Sequence, residues 1–273
     1  KGAMLTHAAL VASVEQVASL PTPIVTTDDV VLGVLPLAHV YSLNGTLAAV
    51  ARAGATLVLV EHFDPEGTLR LVREHGITNI PGAPPMWVAW AGRPDLAEAL
   101  AGVRMLFSGA AALPAAVMEQ VTTATGRPVY EGYGLTEAAP GVSSTLVGGQ
   151  AKPGSVGRPF PGVELRLVDE DGAEVDEGDP GEIWVRGPNL FSGWWPDGVG
   201  GPEPFVHVVF PQMTDRDLLV YLAERLGAPP ADPPRHTIEE SLRRLEYQFR
   251  ENARQNRHAV IVVDEAQLLE DSG

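Results

Sequence analysis

The stretch VRMLFSGAAALPAAVMEQVTTATGRPVYEGYG, residues 103–134, decides the fold class of this chain. It opens on an apolar run, 103–110, that ends in small residues and reads as a buried strand. Residues 113–126 follow as a helix closed by Gly126, and 127–134 supply another strand. A strand, a helix and a strand joined so tightly imply a parallel pair with a crossover helix.

The same alternation runs upstream. Residues 29–37 and 55–63 are β-branched apolar runs bounded by turn residues and are expected as buried strands. Residues 64–76 begin Asp-Pro, carry Leu69 and Val72 on one face and stop at Gly76, which predicts a surface helix. A short strand is expected at 77–82 and a helix opening on prolines at 84–92. Together these segments predict an α/β fold with a parallel-sheet core and flanking helices.

Beyond residue 153 the pattern changes. Two alternating runs, 163–169 and 181–187, flank acidic turn residues and predict a small antiparallel β subdomain. A Gly/Pro-rich join at 196–204 precedes a stretch of another character. There 215–227 reads as an amphipathic helix and 236–257 as an arginine-laced helix. Thr237 and Glu240 stand at capping-box spacing in the second helix, and 258–269 reads as a strand ending in two carboxylates. The expected organisation is therefore 1–153 as α/β core, 154–195 as β subdomain, 196–204 as join and 205–273 as a short α/β tail.

Composition narrows the functions. With 45% hydrophobic and 20% charged residues over 273 positions the chain is globular. No cysteine is present, which excludes disulfides, thiolate metal sites and thiol nucleophiles. No apolar run reaches bilayer length and the first residues lack a signal-peptide pattern, so the expected location is the cytoplasm. A formal net charge of -16 argues against a nucleic-acid surface but not against a small anionic ligand held by backbone N–H groups and a metal ion. Lys1 and Lys152 are the only lysines, so any lysine chemistry within these residues must use one of them.

EGYGLTE, residues 131–137, carries the chemistry most plainly. At the carboxyl end of a parallel strand, glycines let backbone approach a phosphate or flat ring, and a tyrosine offers its face to a base. A threonine hydroxyl can donate to phosphate and a glutamate can ligate Mg²⁺. The plainer alternative is a strand-to-helix turn with Thr136 as N-cap and Glu137 in the first turn.

Other segments favour the first reading. KGAMLTH (1–7), PLAHVYSLNG (36–45), SGAAALP (108–114), EGYGLTEAAP (131–140), GSVGRPFPGVELRLVD (154–169) and GEIWVRGPNLFSGWW (181–195) occur in one order. Together they resemble the adenylate-forming acyl-CoA synthetases, over about residues 1–204, and most closely the bacterial fatty-acyl or aryl acyl-CoA ligases.

The resemblance implies ATP-dependent adenylation of a carboxylic acid, then thioester formation with CoA, with Mg²⁺ assisting. Tyr133 would stack near adenine with Gly132 and Gly134 giving it room, and Glu131 would belong to the same nucleotide-binding segment. Thr136 would bond the α-phosphate and Glu137 would ligate Mg²⁺. Gly109, Ala110 and Ala111 would line the adenine and acyl pockets, and Lys1 would close the phosphate-binding loop. His39 would gate the acyl pocket, the alternative being a packed histidine at a strand end. Ala38 and Ser42 depart from the family pattern and would alter that wall. The rest of the phosphate loop, the family's Arg-Thr-Gly-Asp stretch and its lysine-bearing C-terminal domain do not occur in these residues, so weak or absent turnover is expected of this stretch.

The tail resembles something else. AVIVVDEAQLL (259–269) follows the pattern of a Walker B strand in AAA-type ATPases of bacterial secretion and transposition systems. Asp264 would hold Mg²⁺ and Glu265 would polarise a water, the alternative being a solvated strand end. The simplest reading is a fusion of two gene fragments with GGPEP (200–204) at the seam.

Overall fold

The computed structural model describes residues 2–176, 178–195, 205–208, 215–229, 237–255 and 260–263. Lys1, Asp264, Glu265 and the join at 196–204 lie outside these. The chain forms two compact units, Lys1–Gly198 and Val199–Gly273.

In the first unit, β1 (Gly2–Ala3) leads into α1 (His7–Ala18), a helix not expected from the sequence, capped by the Thr6 hydroxyl. Then come β2 (Val30–Gly33), a π-helix (Tyr41–Ala48) running into α2 (Ala49–Ala53), and β3 (Thr56–Leu59). Next are α3 (Pro65–Glu74), β4 (Asn79–Gly82), α4 (Pro84–Ala91) and α5 (Leu96–Ala99). The expected strand–helix–strand unit is β5 (Met105–Ser108), α6 (Ala115–Thr125) and β6 (Val129–Gly134). The chain continues with β7 (Gly141–Ser144), β8 (Arg158–Pro159), β9 (Glu164–Val168), β10 (Glu182–Arg186) and β11 (Trp194–Trp195).

Local chemistry explains the helix ends. Asp64 accepts the Gly67 N–H at 2.5 Å, with Pro65 in the first turn of α3. Leu69 and Val72 are buried on its inner face, and Gly76 follows at φ 60°. Gly126 closes α6 at φ 67° and returns its N–H to the Thr122 carbonyl.

The seven-stranded sheet has the order β3-β2-β4-β5-β6-β7-β8. From β3 to β6 all pairings are parallel, with Phe107 opposite Tyr130 and Ser108 opposite Glu131. β7 and β8 then add antiparallel. Adjacent strand residues point to opposite faces. Leu106 accordingly joins Leu32 and Ile80 against α3, α4 and α6, where Leu69, Trp87, Trp90 and Val121 lie. Met105 joins Leu20, Val142 and Phe160 in the second cluster.

Several expectations need correction. The strand expected at 29–37 covers only Val30–Gly33, after which the chain turns into the π-helix; the one at 55–63 covers Thr56–Leu59. An apolar run does not say where its hydrogen-bonding neighbour stops. β8 lies within 154–195 yet pairs with β7 in the main sheet, while β9 and β10 form the expected antiparallel pair. The approach of β8 depends on Gly157, at φ 74°, whose Cβ would fall 2.1 Å from Ser144 backbone atoms.

In the second unit β12 (Phe205–Val208) pairs parallel with β13 (Val260–Val263). α7 (Asp215–Arg225) and α8 (Ile238–Arg254) meet around Leu222, Ala223, Leu226 and Leu245. Thr237 caps α8 by accepting the Glu240 N–H at 3.2 Å, as its spacing predicts. Among the described residues no helix is long and apolar enough to cross a membrane.

Candidate active site

A cavity of about 350 Å³ opens at the carboxyl ends of β4, β5 and β6. That is where an open parallel sheet leaves room for a ligand, because the strands end there and the loops diverge. One wall is Pro81, Phe107, Gly109, Ala110 and the run 132–137; the other is His39, Tyr41, Asn44 and Gly45 of the π-helix region with Val14 and Val17 of α1. The structure thus brings together His39, Gly109, Ala110, Gly132, Tyr133, Gly134, Thr136 and Glu137. Ala111 and Glu131 are not part of this lining.

Thr136–Ala138 form a single 3-10 turn whose N-cap is Leu135, not Thr136, so the Thr136 side chain does not serve as a helix cap. Thr136 is exposed and Glu137 half-buried, and neither side chain has a hydrogen-bond or ion-pair partner among the described residues. Glu137 is the one acidic residue in the cavity lining, and no group of three or more His, Asp or Glu forms a metal cluster among the described residues. A cation here would therefore share its oxygen ligands with the substrate, as Mg²⁺ does when one carboxylate and phosphates hold it.

The glycines stand where neighbouring protein comes close. A Cβ on Gly132 would sit 2.7 Å from the Phe107 ring, and one on Gly134 only 2.2 Å from the Pro140 carbonyl oxygen. Both glycines also line the cavity beside Tyr133. A Cβ on Gly109 would likewise lie 3.1 Å from the Tyr41 ring.

Glu131 is buried, and its carboxylate accepts the Leu113 N–H at 2.8 Å, tying the bend at 109–113 to β6. Burial raises its carboxyl above the usual value, and the Leu113 N–H opposes that shift. His39 is exposed, with Nδ1 accepting the Tyr41 N–H at 3.2 Å; it is not a packed core histidine. Tyr41 is a site residue that sequence reasoning missed, although it lies in the 36–45 motif. Its hydroxyl donates to the Gly82 carbonyl at 3.3 Å, and burial pushes its phenol far up, so it stays a protonated donor.

The model of the AMP-binding enzyme family matches residues 1–195. The chain belongs to that family. Over 197 residues it is 34% identical to the long-chain-fatty-acid–CoA ligase of Bacillus subtilis (strain 168), an alignment covering 71% of this chain and 35% of that protein. Over 209 residues it is 40% identical to 4-coumarate–CoA ligase 3 of Oryza sativa subsp. japonica, covering 72% and 37%. ATP-bound MatB from Rhodopseudomonas palustris superposes with a TM-score of 0.68 at 33% identity, over 72% of this chain and 39% of that one. A malonyl-CoA ligase in a ternary product complex with methylmalonyl-CoA and AMP gives 0.64 at 40% identity, over 72% and 43%. This family member spans little more than a third of the length of those curated relatives.

Proposed function

We propose that the cavity binds ATP and a carboxylic acid, fatty or aryl, for adenylation, with CoA as the later thiol acceptor. The observation that carries this reading is the convergence of Tyr133, Thr136 and Glu137 with the 109–110 bend on one cavity. In the proposed step a substrate carboxylate oxygen attacks the α-phosphorus of ATP, the bond to the β-phosphate oxygen breaks, and pyrophosphate leaves. A CoA thiol then displaces AMP to give the thioester. No protein nucleophile is needed, so positioning and charge neutralisation carry the chemistry. The Thr136 hydroxyl would donate to a phosphate oxygen and the Glu137 carboxylate would hold Mg²⁺, which neutralises phosphate charge when bound. Support comes from the free side chains of Thr136 and Glu137 and from the ATP- and AMP-bound structures the chain resembles.

Because the chain spans a minor share of its relatives, ligand binding is the direct measurement. Thermal unfolding with Mg-ATP and with a hydrolysis-resistant acyl-adenylate analogue is expected to show a raised midpoint. A ligand at a hundred times its Kd adds about 2.7 kcal/mol to a state that alone binds it. Tyr133→Ala and Thr136→Ala should shrink the shift; no shift in the parent chain would end the reading. The competing assignment puts nucleotide binding in the tail and rests on the parallel pairing of Val260–Val263, next in sequence to Asp264. It requires that binding vanish in Asp264→Ala and survive in Glu137→Ala.

A further inference from the structure

We propose that Asn189, with Asn44, is a positioning residue that sets Thr136 and Glu137 at the cavity, an inference resting on the function just proposed. The turn that presents those two side chains has two backbone hydrogen bonds of its own, from the Ala138 N–H to Leu135 and from the Ala139 N–H to Thr136. Its N-cap offers no side-chain bond, Ala138 and Ala139 are fully buried methyl groups, and Ala139 sits at φ 57°, which L-residues other than Asn, Asp and Gly seldom adopt. The carbonyls of 137, 138, 139 and 141 are captured from outside it.

Asn189 Nδ2 donates to the Ala138 carbonyl at 2.7 Å and to the Gly141 carbonyl at 2.8 Å. Asn44 Nδ2 donates to the Ala139 carbonyl at 2.6 Å and to the Leu10 carbonyl at 3.0 Å. The Leu135 N–H donates to the Pro140 carbonyl at 3.0 Å, and the Phe191 N–H donates to that of Glu137 itself at 2.8 Å. Every carbonyl from 137 to 141 is therefore occupied. Three of them are held by two buried side-chain amides that arrive from sequence positions far apart.

The orientation of each amide follows from its surroundings, since a nitrogen facing two carbonyls can only be the NH₂ group. Asn189 is fully buried, and Gln16 Nε2 faces its Oδ1 at 3.5 Å. Gly187 allows this, because a Cβ there would lie 2.6 Å from the same Oδ1. Asn189 does not line the cavity, so it acts through the turn and not on a ligand. Removing it leaves the Ala138 and Gly141 carbonyls without these donors and frees the segment carrying Glu137 to move. Groups that orient a metal ligand typically change metal-dependent affinity by about 10- to 100-fold when lost.

The test compares ATP affinity with Mg²⁺ and with EDTA, by titration calorimetry on the full chain. Parent protein should bind more tightly with Mg²⁺. Asn189→Ala should bring the ratio of the two affinities toward one, by roughly tenfold or more, and adding Glu137→Ala should lower it little further, as for two groups acting as one. A destabilising but purely architectural role would weaken both affinities together and leave the ratio intact, which overturns the proposal. Additive losses in the double variant overturn it too. Should Asn189→Ala not fold, Asn44→Ala frees one carbonyl of the turn; because Asn44 also lines the cavity, either affinity can change directly, so the ratio alone is read, and an unchanged ratio or additive losses there overturn the proposal equally. If the parent chain binds no ATP under either condition, the functional reading itself falls and this inference with it, an outcome visible before any variant is made.

Discussion

Asp29 shows how one buried charge supports the cavity wall from a distance. It is 2% exposed and accepts from the Thr26 N–H at 2.7 Å, Thr78 Oγ1 at 2.7 Å and Arg104 Nε at 2.8 Å, with Arg104 Nη2 closing the pair. Arg104 Nη2 also donates to the Ile24 carbonyl at 2.8 Å, and Ile24 lines the cavity. Burial alone would raise the Asp29 carboxyl, but Arg104 and the threonine donors outweigh it and bring the pKa from 3.8 to about 2. A folded-state value below the unfolded one means stability that is fully present above the unfolded value and lost as acid protonates the group. The shift corresponds to about 2 kcal/mol. Between about pH 5 and pH 2 the melting temperature of the parent chain should therefore fall more steeply than that of Asp29→Asn, which is already less stable at pH 7. Parallel profiles would show that Asp29 contributes no such linkage. Only the Thr26 contact is local in sequence; Thr78 and Arg104 lie 49 and 75 positions away, in other loops.

At the scale of elements, β6 and the turn after it are the part most sensitive to added bulk. Gly134 meets the Pro140 carbonyl, a backbone atom that cannot rotate away, whereas Gly132 meets the edge of the Phe107 ring. Gly148 has open space and serves as control. Overpacking of this kind costs about 1–3 kcal/mol. Gly134→Ala should lower the urea midpoint most, Gly132→Ala less and Gly148→Ala least, at unchanged m-value. An equal effect at Gly134 and Gly148 would contradict the close approach. The existence of β6, α6 and α3 was legible because periodicity and caps are local signals, carried by Asp64, Gly76 and Gly126. The π-helix was not, since Tyr41–Ala48 alternates Leu43 and Leu47 with Ser42, Asn44, Gly45 and Thr46 and carries no period that marks it.

At the scale of the molecule, each compact unit holds its own core, one built around Trp87 and Trp90 and the other around Leu222 and Leu245. All five tryptophans fall between residues 87 and 195, within the first unit. Tryptophan emission therefore reports the first unit alone, and far-UV circular dichroism reports both. An acyl-adenylate analogue should raise the midpoint seen by emission; an unmoved emission midpoint would contradict a ligand site in the first unit. The sequence by itself determined the α/β alternation, the helix ends and a set of ordered motifs that mark the family, because these are written in neighbouring residues. Only the tertiary structure decided that His39, Gly109, Tyr133 and Glu137 face one cavity, that Gly132 and Gly134 lie close against Phe107 and Pro140, and that Asn44 and Asn189 hold the turn between them. Those facts depend on hydrogen bonds and contacts between residues far apart in the chain, 95 positions in the Asn44–Ala139 bond, and such pairings exist only once the sheet has assembled.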